Sequence, residues 1–342
     1  MNIYKVVHLV PYDGIGGVET AARTMINVKE DDFIFKVKYI YPFVSKQKHF
    51  KSLYNPFKLI SFVWHFRKFQ MDVLIVSLWR SAIIGIIYKI MHPKIKLITF
   101  LHSNKYFHLF DYIFHRVSIC FSYQIWSDSL TTARSRLSLS EQHRCRVISF
   151  VTHRILPLPE RHVSPVFIFW GRIDRLKGLS RAILIFAEIK KRHPLARFII
   201  IGPDGGSLSK NKNKCISLGL TESVIFKGSA NLDEIKTYSS EASFYLQTSL
   251  IEGMAMSVVE AMQLGLVPIV TPVGEIISYC KNGHNSIIID SDSAAIDLVL
   301  RLIDSNIQYQ EIRKMAIETW QDKIIYKDSV VNACKNITKD IR

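Results

Sequence analysis

The densest chemistry in this chain lies in Ser249-Leu250-Ile251-Glu252-Gly253-Met254-Ala255-Met256-Ser257-Val258-Val259-Glu260. Glu252 falls on a loop and Glu260 inside the apolar helix that follows, with seven residues between them. Carboxylates accept hydrogen bonds in pairs, which suits the vicinal hydroxyls of a sugar. The backbone over 253–257 precedes the helix and offers N–H groups to an anion such as phosphate. Gly265 stops the helix and Pro268 opens the next strand. A surface charge or a helix cap would explain either carboxylate alone. It does not explain the whole string.

A second cluster is Trp170-Gly171-Arg172-Ile173-Asp174-Arg175-Leu176-Lys177-Gly178, directly after an apolar strand. Arg172 and Lys177 on one strand-to-helix loop can clamp a diphosphate. The order of Lys and Gly is wrong for a Walker loop, and a solvated basic loop is the plain alternative. A third cluster, Asp13-Gly14-Ile15-Gly16-Gly17-Val18-Glu19, lies between the first strand and the first helix. Its glycines permit close approach of a ligand to backbone N–H groups. Glu19 stands where a dinucleotide fingerprint needs glycine, and a tight turn accounts for the loop equally well. Asp290-Ser291-Asp292 has a metal-binding D-x-D form, but it follows a strand and precedes a helix start, so helix capping is the better reading.

These loops need a scaffold, and the pattern supplies one. Short Val/Ile-rich runs predict strands over 5–11, 33–41, 72–79, 96–102, 124–127 and 146–150. A second set falls over 166–170, 196–201, 223–226, 243–247, 267–271 and 286–290. Amphipathic stretches separate them, among them 19–27, 82–91, 179–192, 232–239 and 257–264. Strand–helix alternation of this kind predicts an α/β protein with parallel sheets covered on both faces. Three prolines within 157–165 mark a linker. The expected organisation is a Rossmann-like domain over 1–160 and another over 161–342, with parallel sheets facing a central cleft. The last helix is free to return to the first domain.

Composition narrows the partners. The chain has 342 residues, 48% of them hydrophobic, and a formal net charge of +16. Residues 1–160 carry 22 Lys/Arg against 10 Asp/Glu, and residues 161–342 carry 23 against 19. The excess of +12 in the first half seeks a phosphate-rich partner. The five cysteines are scattered without a C-x-x-C pair, which argues against a disulfide framework or a zinc site. No apolar run reaches the roughly 18 residues of a membrane span. The polar start does not read as a signal peptide, so the expected location is the cytosol. The stretch 46–70 mixes Lys46, Lys48, Lys51, Lys58, Arg67 and Lys68 with seven aromatic residues. It reads as a membrane-surface segment, as a core helix with snorkelling lysines, or as an RNA-binding patch. Lipid is preferred to nucleic acid because no RNA-binding signature accompanies it.

At these residues the chain resembles glycosyltransferase family 4, retaining enzymes of the GT-B fold. The features that match in order are the glycine-rich first loop, the G-R-x-x-x-x-K-G loop, the E-x7-E element and Trp320 near the C-terminus. Ile201-Gly202-Pro203-Asp204-Gly205 and Val224-Ile225-Phe226-Lys227-Gly228 link them. The resemblance implies that Arg172 and Lys177 bind the donor pyrophosphate, Glu260 the ribose hydroxyls and Glu252 the transferred sugar. Gly253, Met254 and Ala255 then line the nucleotide-sugar, Gly16 and Gly17 approach it from the first domain, and His102 faces the donor sugar. It implies no metal and no cofactor. It also implies a UDP- or GDP-sugar donor, a glycan or lipid-linked acceptor, and attachment to the inner face of a membrane in surface-polysaccharide synthesis. Two departures stand out: Met254 and Ala255 replace the family's aromatic and glycine, and Glu275 follows Gly274 where a second glycine is common. The rival expectations are a GT-B-fold UDP-sugar epimerase and a non-catalytic basic binding module.

Overall fold

A computed structural model describes residues 3–14, 16–30, 32–41 and 56–339, without the side chains of 56–60, 338 and 339. It divides into two compact units. The first comprises Met1–His153 and Ile324–Arg342, and the second Arg154–Lys323. The division falls upstream of the proline-rich segment.

The first unit holds a seven-stranded sheet in the order β2-β3-β1-β4-β5-β6-β7. Its strands are β1 (Tyr4–Tyr12), β2 (Lys29–Glu30), β3 (Phe33–Tyr41), β4 (Val73–Ser77), β5 (Lys96–Leu101), β6 (Gln124–Ser127) and β7 (Cys145–Val147). All neighbours pair parallel except β2 with β3. The run Val73-Leu74-Ile75-Val76-Ser77 is buried throughout, because helices cover both faces of such a sheet. The second unit holds a six-stranded parallel sheet, β10-β9-β8-β11-β12-β13. Its strands are β8 (Val166–Trp170), β9 (Arg197–Ile201), β10 (Val224–Gly228), β11 (Phe244–Gln247), β12 (Val267–Val270) and β13 (Ile287–Ile288). Strand order reverses between β1 and β4 in one sheet and between β8 and β11 in the other. Ligands of open α/β sheets bind beyond the carboxyl ends of strands at such points.

Several boundaries differ from the sequence pattern. The strand expected over 72–79 stops at Ser77, and Leu78 turns the chain at φ 66° into the helix Leu78–Met91. That left-handed turn is invisible to a pattern of apolar residues. The first helix, Gly17–Arg23, is shorter than 19–27, and Asn27 is left-handed at φ 58°. The strand over 146–150 is reduced to Cys145–Val147.

Of the basic-aromatic stretch 46–70, residues 46–55, with Lys46, Lys48 and Lys51, lie outside the described residues, as does the side chain of Lys58. The rest forms the helix Pro56–Phe66 and its C-terminal turn. Phe66 is buried in the core, with Phe62 and Phe69 packed against it. Trp64 stays outside. Most of this segment's described aromatic surface therefore serves the core.

The last helix, Tyr326–Lys339, belongs to the first unit. Tyr326 anchors it: its N–H donates to Val151 O at 2.7 Å and its ring stacks on Phe100. Ser329 Oγ accepts from Ser149 N at 3.1 Å.

Candidate functional site

In the second unit two of the loop elements singled out in the sequence meet at the carboxyl ends of β8 and β11. Trp170 ends β8 and leads into residues 171–178, while Gln247 ends β11 and leads into residues 248–255. Asp174 shapes the first loop. Its Oδ1 accepts from Leu176 N at 2.9 Å and Lys177 N at 3.1 Å, winding the turn Arg175–Lys177. Its Oδ2 holds Arg172 Nε at 2.8 Å. Gly178 follows at φ 66°, where any Cβ would overlap the Thr248 carbonyl. This close approach brings the two loops together, and it requires glycine.

Lys177 thereby reaches Glu252, Nζ to Oε1 at 2.7 Å. The same oxygen accepts from Ser249 Oγ at 2.6 Å and Gln247 Nε2 at 3.0 Å. Gln247 Oε1 in turn accepts from Tyr245 OH at 2.6 Å and Ser257 Oγ at 2.9 Å. The Tyr245 ring packs edge-on against Trp170, centroids 4.5 Å apart. Trp170 Nε1 donates to Glu260 Oε2 at 2.8 Å. One connected network therefore joins Lys177, Glu252 and Glu260. Of its middle members, Gln247 and Tyr245 escaped the sequence reading, and Ser249 and Trp170 stood in the quoted strings without a role. A polar Gln–Thr–Ser run ending an otherwise apolar strand was the available signal.

Burial pushes the Glu260 carboxyl up to about 7, opposed by the Trp170 hydrogen bond. Burial likewise holds the Tyr245 hydroxyl well above its usual value, so it acts as a neutral donor. Arg172 keeps an exposed guanidinium beside Asp174.

Residues 252–255 are tied from behind. Glu275 N donates to Gly253 O at 3.0 Å and Tyr279 OH to Met254 O at 2.8 Å. Gly274 at φ 59° lies so close that a Cβ would strike the Glu252 carbonyl. Ala255 is left-handed, φ 56° and ψ 64°, and starts the helix Met256–Leu264. A residue without Cβ is favoured at such a position, so alanine here carries backbone strain. Trp320 is not at the active loops. It is buried on the helix Asn306–Gln321, with its indole N–H on Met262 Sδ at 3.2 Å. In Asp290-Ser291-Asp292 the cap is Ser291, whose side chain accepts from Ala294 N, while Asp292 pairs with Arg181 at 2.7 Å. Among the described residues no group of three or more His, Cys, Asp or Glu could hold a metal ion.

His102, Gly16 and Gly17 belong to the first unit. Gly16 precedes the helix Gly17–Arg23 in extended conformation, with the Glu19 carboxylate folded against it. His102 follows β5. Its Nε2 lies 2.7 Å from Ser77 Oγ, and the same hydroxyl lies 2.8 Å from His8 Nε2. His8 is on β1 and Ser77 ends β4, the two strands that flank the reversal of order. A hydroxyl has one proton, so Ser77 donates to one imidazole and accepts from the other. Burial lowers the His8 imidazole to about 3 and holds His102 well below its ordinary value. Both rings are therefore neutral at physiological pH. His102 Nδ1 is buried with no hydrogen-bond partner. Neither His8 nor Ser77 stood out in the sequence.

Residues 157–319 match the family model described as Glycosyl transferases group 1. The GDP-mannose:cellobiosyl-diphosphopolyprenol alpha-mannosyltransferase of Xanthomonas oryzae is 28% identical over 40% of this chain and 36% of its own length. The lipopolysaccharide 1,6-galactosyltransferase of Salmonella typhimurium is 28% identical over 51% of this chain and 50% of its own. The matches thus span half or less of these relatives. The crystal structure of Anabaena HepE with UDP and glucose superposes at a TM-score of 0.78, covering 98% of this chain and 100% of that one, at 14% identity. The chain thus resembles glycosyl transferases group 1 over residues 157–319 and carries the GT-B fold.

Proposed function

We propose that this protein is a retaining glycosyltransferase. It moves a hexose-type sugar from a UDP- or GDP-sugar to a lipid-linked glycan acceptor in surface-polysaccharide synthesis, at the cytoplasmic face of a membrane. The observation that carries the reading is the network Lys177–Glu252–Gln247–Tyr245–Trp170–Glu260 at a strand-order reversal. It assembles a cation and two carboxylates with hydroxyl and indole donors that fix their orientation. The activity of the Xanthomonas relative, on a diphosphopolyprenol-linked glycan, supports a lipid-linked acceptor. The UDP and glucose bound to HepE support a nucleotide-sugar donor.

In this reading Glu260 accepts from the ribose hydroxyls and Glu252 from the sugar. Arg172 and Lys177 neutralise the leaving diphosphate, and Gly253, Met254 and Ala255 lie along the donor. The acceptor oxygen forms a bond to the anomeric carbon as the bond to the diphosphate breaks. The proton of the acceptor hydroxyl passes to the diphosphate oxygen, on the same face. In the first unit His102, held by Ser77, offers Nδ1 to a ligand hydroxyl. Charge stabilisation by fixed cations does the work a metal would do elsewhere.

The test is a panel of nucleotide-sugars read by thermal shift, since a ligand that binds only the folded state raises its stability. A specific UDP- or GDP-sugar should raise Tm, and adding a glycolipid acceptor should then release the nucleotide. Conversion of the sugar at unchanged nucleotide, without acceptor, would replace transfer by epimerisation. Strong RNA binding with no nucleotide-sugar response would replace it by a binding module.

A further inference from the structure

The helix Leu109–Phe121 is built inside out. Its buried positions are Asp111, His115, Ser118 and Ile119. Asp111 and His115 pair at 2.8 Å, and Ser118 Oγ lies 2.5 Å from Thr99 Oγ1. Its outer face carries the apolar side chains instead. Leu109 and Phe110 are each at least 60% exposed, Tyr112, Ile113 and Phe121 are exposed too, and Phe107 is exposed just before the helix. A helix packed on a sheet normally buries its apolar stripe and shows water its polar one. The reversal marks this face as an interaction surface.

The surface extends onto the neighbouring helix. Trp79, on Leu78–Met91, stacks on Phe110 and Phe114 at 6.3 and 6.1 Å. That helix ends in exposed Ile90 and Met91. Charge identifies what covers the face. Residues 56–123 hold nine Lys/Arg and two Asp/Glu. One of those carboxylates, Asp111, is buried, and the other, Asp72, accepts from Lys5 N at 2.8 Å. Arg116 is already paired with Glu141, but Lys68, Lys94 and Lys105 are exposed. Arg67 lies over the exposed Trp64 ring at 3.2 Å. A second copy of the chain would bring the same positive excess and be repelled. An anionic bilayer satisfies both features, hydrocarbon for the aromatic crest and headgroups for the cations.

We propose that this face seats reversibly on an anionic lipid bilayer, with Leu109, Phe110 and Ile113 entering the boundary between headgroups and acyl chains. The proposal deepens the lipid-linked-acceptor reading and rests on it for its use, and it moves the contact from 46–70 to the helix Leu109–Phe121.

The experiment is flotation of the full chain with phosphatidylglycerol–phosphatidylethanolamine vesicles and with phosphatidylcholine vesicles, alongside nucleotide-sugar thermal shifts on the same preparations. The parent should float with the anionic vesicles at least tenfold more than with the neutral ones. The double variant Phe110→Asp/Ile113→Asp should lose at least tenfold of that binding, and Phe110→Ser should lose part of it, both with unchanged far-UV circular dichroism and nucleotide-sugar shift. Flotation without any nucleotide-sugar shift would leave the surface standing and sink the transferase reading. Equal flotation of parent and double variant, or no flotation of the parent, would overturn the proposal. So would a dimer in sedimentation that Phe110→Asp/Ile113→Asp dissociates, since the face would then join two copies.

Discussion

Lys177 Nζ and Glu252 Oε1 stand 2.7 Å apart, and two more donors, Ser249 Oγ and Gln247 Nε2, converge on the same oxygen. The lysine keeps further N–H groups for phosphate, and the second carboxylate oxygen remains able to accept from a sugar hydroxyl. In the proposed reading this contact couples the leaving group to the transferred sugar. Glu252→Gln should lower kcat while changing nucleotide affinity little. Steady-state kinetics with a fixed donor distinguishes this from simple loss of binding, in which KM alone would rise.

Lys177→Met and Arg172→Ala should each cost turnover by about 10²–10³-fold, the usual scale for a preorganised charge stabiliser. Treatment with EDTA should leave the parental rate intact. Complete loss with EDTA and recovery with Mg²⁺ would assign part of this work to a metal ion instead.

Burial raises the Glu260 carboxyl to about 7, so in the proposed reading nucleotide binding should depend on pH. The ionised form is the better acceptor for a ribose diol, so affinity should rise between pH 6 and pH 8 on titration calorimetry. Glu260→Gln should flatten that profile and weaken binding by about 1.5–3 kcal/mol, the scale of a charged hydrogen bond. Stability runs the other way. Between the unfolded value of about 4.3 and the folded one the native state holds the extra proton, so stability falls as pH rises through this window. Urea melts of parent and Glu260→Gln should diverge there.

Ala255 at φ 56° predicts an easy gain. Left-handed backbone costs a residue with Cβ roughly 1–2 kcal/mol, part of which glycine returns as chain entropy. Ala255→Gly should therefore raise Tm by a few degrees. Gly274→Ala should do the opposite, because its Cβ meets the Glu252 carbonyl. It should lower nucleotide-sugar affinity along with Tm.

His8, Ser77 and His102 make a third kind of test. Both imidazoles are lowered by burial, so unfolding below about pH 6.5 takes up protons that the native state refuses. Their stability contribution is present above that pH and lost as pH falls toward the folded values. Activity should show no inflection near pH 6.5 from His102. Ser77→Ala should lower kcat with nucleotide affinity unchanged, because His102 loses the hydroxyl that orients it. An unchanged kcat would reduce Ser77 to a core hydroxyl.

What the sequence determined by itself was local: alternation of Val/Ile-rich strands with amphipathic helices fixes parallel sheets, and the Glu252–Glu260 spacing puts two carboxylates around one helix start. Tertiary structure decided the rest. Gln247, Trp170 and Tyr245 join the site because β8 and β11 lie side by side, which strand order determines and residue type does not. His8 and His102 meet at Ser77 through the adjacency of β1, β4 and β5, from positions 69 and 25 residues away from it. The left-handed turns at Leu78 and Ala255 are imposed by surrounding packing against local preference. The helix Leu109–Phe121 makes the same point about patterning. Its sequence shows an apolar stripe, but the buried Asp111, His115 and Ser118 find partners within the unit and turn the stripe outward. Periodicity reports that a helix has two faces, and the hydrogen bonds available inside choose which of them is buried.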